Sequence, residues 1–66
     1  MNLTIYTKSG QEIKILNSSD GAVKEFTDWF SDDLKWPVCI LEGNNSTKIG
    51  INRSEISYYK IWYDYA

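Results

Sequence analysis

Sixty-six residues with no histidine, a single cysteine and a net charge of −2 from nine acidic and seven basic side chains make one small domain, residues 1–66, without a disulfide or a common structural zinc site. The missing imidazole removes Ser-His-Asp and Cys-His catalysis, and the mildly acidic balance disfavours tight bulk attraction to duplex phosphates. No basic start followed by a long apolar stretch is present, so neither a secretory leader nor a membrane span is expected, and a cytoplasmic location is.

Leu3-Thr4-Ile5-Tyr6-Thr7 alternates apolar and polar residues, Lys8-Ser9-Gly10-Gln11 supplies turn chemistry, and Glu12-Ile13-Lys14-Ile15 resumes the alternation. The pattern predicts a β-hairpin with Leu3, Ile5, Ile13 and Ile15 on the inner face and Thr4, Glu12 and Lys14 facing water. Asn17 to Gly21 breaks it and offers Ser19 or Asp20 as a helix cap. From there Ala22, Val23, Phe26, Trp29, Phe30 and Leu34 recur at spacings of three and four, which predicts an amphipathic helix of about four turns with one apolar stripe. Pro37 bars helical geometry at Trp36, so the helix is expected to end at Leu34 or Lys35.

Val38-Cys39-Ile40-Leu41-Glu42 is an uninterrupted apolar run closing on one acid, which reads as a central strand with Cys39 as a small core residue rather than a nucleophile. Gly43 to Ser46 reads as a turn, and Thr47 to Ile51 as the next strand with Ile49 and Ile51 inward. Asn52-Arg53-Ser54-Glu55 is polar, with Asn52 able to cap a single helical turn before an aromatic strand. The expected fold is α+β in the order β-β-α-β-β-β, a mainly antiparallel sheet with one helix packed on a face. A partly closed small barrel of SH3 or Sm type is the competing architecture.

The last strand, Ile56-Ser57-Tyr58-Tyr59-Lys60-Ile61-Trp62-Tyr63-Asp64-Tyr65, sends rings to both faces, whereas a small domain has one interior to fill. Ile61 argues that the odd positions Tyr59 and Tyr63 face inward and leave Tyr58, Lys60 and Trp62 outside; Ile56 and Trp62 argue the reverse. Either way some rings stay exposed and form a candidate contact surface. The carboxylates Glu25, Asp28, Asp32 and Asp33 line a helix face where Lys24 and Lys35 supply i,i+4 and i,i+3 partners, so a solvated acidic strip able to meet a basic partner is a better account than a metal site. No glycine-rich phosphate loop exists, and no cofactor or metal is implied.

The opening Leu3-Thr-Ile-Tyr-Thr-Lys-Ser-Gly10 and the late Ile49-Gly-Ile-Asn-Arg-Ser-Glu-Ile56 followed by aromatics resemble small β-rich α+β proteins encoded by phages and mobile elements of low-GC Gram-positive bacteria. The resemblance implies an inhibitor or adaptor acting on a host protein, inside a bacterial cell. On the residues themselves the first expectation is a non-catalytic protein-binding module that uses Tyr58, Lys60, Trp62, Tyr59 and Tyr63 as anchors, with Asp28 and Asp32 as a polar rim. A homo-oligomer is a rival use of the same surface. The alternative is a single-strand nucleic-acid binder in which Tyr58, Tyr59 and Trp62 stack on bases while Lys48, Arg53 and Lys60 contact phosphates. An enzyme using the carboxylates and a bound metal is the remaining reading.

Overall fold

The computed structural model describes residues 1–42 and 47–64. The element order is β1 (Asn2–Thr7), β2 (Glu12–Ile15), α1 (Asp20–Ser31), β3 (Val38–Glu42), β4 (Lys48–Asn52), a single 3-10 turn (Arg53–Glu55) and β5 (Ile56–Trp62). This is the expected β-β-α-β-β-β order, and among the described residues all pairings are antiparallel and no barrel closes. The strands divide between two sheets, a three-stranded one in the order β2-β1-β5 and the hairpin β3-β4.

The opening hairpin pairs Leu3 with Ile15 and Ile5 with Ile13, which puts these four aliphatics on one face, as their alternation requires. Gly10 closes its turn at φ +89°, a conformation that costs glycine little, and its N–H donates to the Thr7 carbonyl at 3.1 Å. Beyond β2, Asn17 takes φ +57° and gives its N–H to Asn2 Oδ1 at 2.9 Å, tying the chain back to the start of β1 before the helix begins.

Ser19 is the N-cap of α1: its hydroxyl accepts from Ala22 N–H at 3.1 Å, and its carbonyl receives the first helical bond from Val23. Val23, Phe26 and Trp29, at the predicted spacing, are the buried residues of the helix. Phe26 and Trp29 join Leu3, Ile5, Ile51 and Ile56 in one core, with Phe30, Ile13, Ile15, Cys39, Leu41 and Tyr59 packed around it. Each large side chain buried there contributes about 1.5–3 kcal/mol.

Several expectations are corrected. The helix stops at Ser31, a turn before Leu34, because Asp32 adopts extended backbone (φ −113°, ψ 101°) and its carboxylate accepts from Leu34 N–H at 3.0 Å. Leu34 therefore leaves the apolar stripe and stands 97% exposed, and Ala22 is exposed at the other end. Thr4 is 1% exposed instead of facing water. The apolar run Val38–Glu42 is not central: among the described residues β3 pairs only with β4, so Cys39 and Leu41 turn to the core while Val38 and Ile40 remain exposed. Asn52 caps the short turn as expected, its side chain accepting from Ser54 N–H at 3.0 Å. The turn read at Gly43 to Ser46, and Tyr65 at the chain end, lie outside the described residues.

Candidate recognition face on the three-stranded sheet

Which face of β5 is buried follows from one irregularity in its pairing with β1. Asn2 to Tyr6 pair with Trp62 to Tyr58 in order, but the next residue, Thr7, pairs with Ile56, so Ser57 is an extra residue on β5. This bulge lets Ile56 enter the core on the same side as Tyr59, which reconciles two signals that contradict each other under strict alternation. Tyr59 turns under the helix, meeting Phe26 edge-on at 5.3 Å and Phe30 edge-on at 5.5 Å between ring centroids. As a half-buried core ring it is withdrawn from the outer surface that sequence assigned to it.

Tyr58, Lys60 and Trp62 take the opposite face, away from α1. Strand register sets three rows across that face: Trp62 beside Asn2, Lys60 and Lys14 on either side of Thr4, and Tyr58 beside Tyr6 beside Glu12. Tyr58 and Tyr6 stack with centroids 4.3 Å apart and planes 16° from parallel. Tyr58 is still 56% exposed. Trp62 leans diagonally across β1 and donates its indole N–H to Thr4 Oγ1 at 2.8 Å, which accounts for the burial of Thr4. Pairing of β1 with β5 across most of the chain is what creates this face, and neither strand reveals it alone. Tyr6 and Lys14 therefore belong to the face although sequence reading did not select them; their even positions in the first hairpin were the available signal. Tyr63 is exposed just beyond the end of β5.

The helix acids stand on the other layer of the molecule. Since α1 packs against the Tyr59 side of the sheet, Asp28 and Asp32 cannot rim the face that carries Tyr58 and Trp62. Asp28 bonds Lys24 Nζ at 2.7 Å, one turn away. That hydrogen bond holds the Asp28 carboxyl below its usual range and raises the Lys24 ammonium. Asp32 is occupied in closing the helix.

Of the bases assigned to phosphates, Arg53 is committed internally. Its Nη2 donates to the carbonyls of Trp29, Lys35 and Trp36 at 3.1, 3.3 and 3.2 Å, and its guanidinium lies 4.9 Å from the Trp29 ring centroid. Lys48 lies on the separate hairpin, opposite Glu42. The Cys39 thiol is pushed up first by burial and then by the Glu25 charge, which keeps it protonated and poorly nucleophilic near neutral pH. Among the described residues no group of three or more Cys, Asp or Glu is placed to hold a metal ion, and no helix is long and apolar enough to cross a membrane. No family model, curated protein or solved structure matches the chain.

Proposed function

We propose that the protein is a non-catalytic protein-binding module whose contact surface is the outer face of the β2-β1-β5 sheet. The observation that carries this reading is the Tyr6–Tyr58 stack, with Tyr58 56% exposed and Trp62 pinned on the same face over Thr4. Stacking and the indole bond fix these rings before any partner arrives, so less side-chain entropy is lost on binding. Tyr and Trp in that state are the side chains most often found at the centres of protein interfaces. Tyr58, Trp62 and Tyr6 act as anchors, and Lys14, Lys60 and Glu12 form the charged surround. The resemblance to phage and mobile-element proteins makes a bacterial host protein the partner class, with the module acting as an inhibitor or adaptor in the cytoplasm.

Affinity capture from a low-GC Gram-positive lysate, with the intact chain and with Tyr58→Ala/Trp62→Ala, tests the proposal once both proteins are shown to be folded. A partner captured by the intact chain and lost with the double variant is the expected result. The same partners at equal yield from both proteins would refute it.

One observation favours a second reading: Lys14 and Lys60 lie in the row between the Trp62 and Tyr58 rows on one face, an arrangement that suits bases stacked on Tyr58 and Trp62 with phosphates at the lysines. Tyr59 and Arg53 drop out of this version. Absence of salt-dependent binding to labelled single strands at low ionic strength would eliminate it.

A further inference from the structure

A second surface, on the helix side of the molecule, carries an inference independent of the sheet face. Between α1 and β3 lies a groove of about 610 Å³, within the range of recognised ligand clefts. Leu3 and Ile15 line it from the three-stranded sheet, Phe26 and Trp29 from the helix, and Cys39 and Leu41 from β3. Glu25 on the helix and Glu42 on β3 also line it. Among the described residues the ion pair is Lys24–Asp28, so neither glutamate is held in a salt bridge; Lys48 stands across the ladder from Glu42, and Glu25 has no cation paired with it.

The strand along this groove offers unused backbone. Arg53 N–H donates to the Pro37 carbonyl at 2.8 Å, which makes Pro37 and Arg53 a hydrogen-bonded pair at the start of the hairpin. Such pairs alternate along an antiparallel ladder, so Cys39 with Ile51 and Leu41 with Ile49 are the next bonded pairs. Val38, Ile40 and Glu42 must then turn their N–H and C=O groups away from β4, toward an edge where no other strand pairs among the described residues. The other outer strands each carry a lysine, Lys14 on β2, Lys60 on β5 and Lys48 on β4, which discourages strand addition; β3 has none, and its Ile40 is 69% exposed.

We propose that this edge and groove bind an extended segment of another protein by strand addition to β3, the segment alternating apolar and polar residues and carrying a lysine or arginine at its ends. The outward groups of Val38, Ile40 and Glu42 bond its main chain, its apolar side chains fill the groove, and its cations meet Glu25 and Glu42. Charge selects this occupant over a second copy of the chain. Antiparallel pairing of β3 with itself about Ile40 sets Glu42 of one copy against Val38 of the other, adding acids to a groove already lined by two.

The test uses the whole chain and a library of seven-residue peptides in which Val, Ile, Phe or Tyr alternate with Thr, ended either by Lys or by Glu. Binding is followed through the backbone amide resonances of Val38, Ile40 and Glu42. Lysine-ended peptides are expected to shift these signals and to bind at least about tenfold more tightly at low salt than their Glu-ended counterparts. Ile40→Pro removes an outward donor without touching the β4 ladder and is expected to abolish binding, whereas Tyr58→Ala, on the other face, leaves it unchanged. Glu25→Lys/Glu42→Lys keeps every backbone donor and is expected to reverse the charge preference, which covers the case of Ile40→Pro failing to fold. The proposal is overturned if no peptide binds at millimolar concentration, if Glu-ended peptides bind equally well, if folded Ile40→Pro binds like the parent, or if the free chain sediments as a dimer that Ile40→Pro dissolves.

Discussion

The indole of Trp62 and the hydroxyl of Thr4 offer a sharp energetic test because they join strands whose residues are 58 positions apart. Thr4→Val preserves shape and deletes the acceptor; the half-buried indole can then recover part of its bond from water, and the expected loss is about 1 kcal/mol. Trp62→Phe deletes the donor and leaves a hydroxyl on a residue 1% exposed, with no route to solvent until the sheet relaxes, so about 1–3 kcal/mol is lost together with some ring contact. Once the hydroxyl is gone, removing the indole strands nothing, and the double variant should lose less than the sum of the singles by about 1 kcal/mol. For a domain of this size that coupling corresponds to about 4–8 °C in melting temperature. Equilibrium urea unfolding of all four proteins, with unchanged denaturant slopes, measures it. Strict additivity within a few tenths of a kcal/mol would show that the bond contributes nothing and that the burial of Thr4 has another cause.

Three further perturbations probe other joints of the molecule. Arg53→Met removes the donor that serves the carbonyls of Trp29, Lys35 and Trp36, and is expected to lower urea stability by about 2 kcal/mol; Arg53→Lys, a point charge without the planar fork, should restore little of it. Asp28→Asn should give a small melting deficit only between the acid and alkaline limits. The lowered Asp28 pKa adds stability above the unfolded carboxyl value that is lost as pH falls through the folded one, and the raised Lys24 pKa adds stability below the unfolded amine value that is lost as pH rises through the folded one. Because both side chains are at least half exposed, added salt should shrink the deficit, and one that persists at acid pH would contradict the pairing. Asn17→Gly should be nearly neutral in thermal unfolding while Asn17→Ala costs about 1–2 kcal/mol, since Asn17 sits at φ +57°; equal effects would refute the backbone argument.

Local pattern made the element order legible. Alternation in Leu3–Thr7 and Glu12–Ile15 gave the hairpin and its inner face, and the spacing of Val23, Phe26 and Trp29 gave the buried side of the helix. What escaped depended on partners distant in sequence or on one side chain overriding a trend. Thr4 looked solvent-facing until a strand from the far end laid an indole over it. Proline at 37 gave an outer limit for the helix, but the Asp32 carboxylate drew Leu34 N–H away earlier. An apolar run such as Val38–Leu41 fits burial on two faces or an edge beside an apolar groove, and composition does not separate the two. Division of the candidate anchors between the faces of β5 required the extra residue Ser57, which nothing in the run Ile56–Tyr59 announces.

The Tyr6–Tyr58 stack has one ring on the middle strand of its sheet and the other on the last strand of the fold. Neither half of a cleaved chain contains it, and local opening of either strand erases it. A ligand that grips both rings consequently recognises closure of the β1–β5 pair and stabilises that closure by mass action. Amides of Leu3 and Ile5, whose side chains lie in the core on the opposite face of the sheet, would then exchange more slowly in its presence. Occupancy of the surface would thus be recorded in the rigidity of the core.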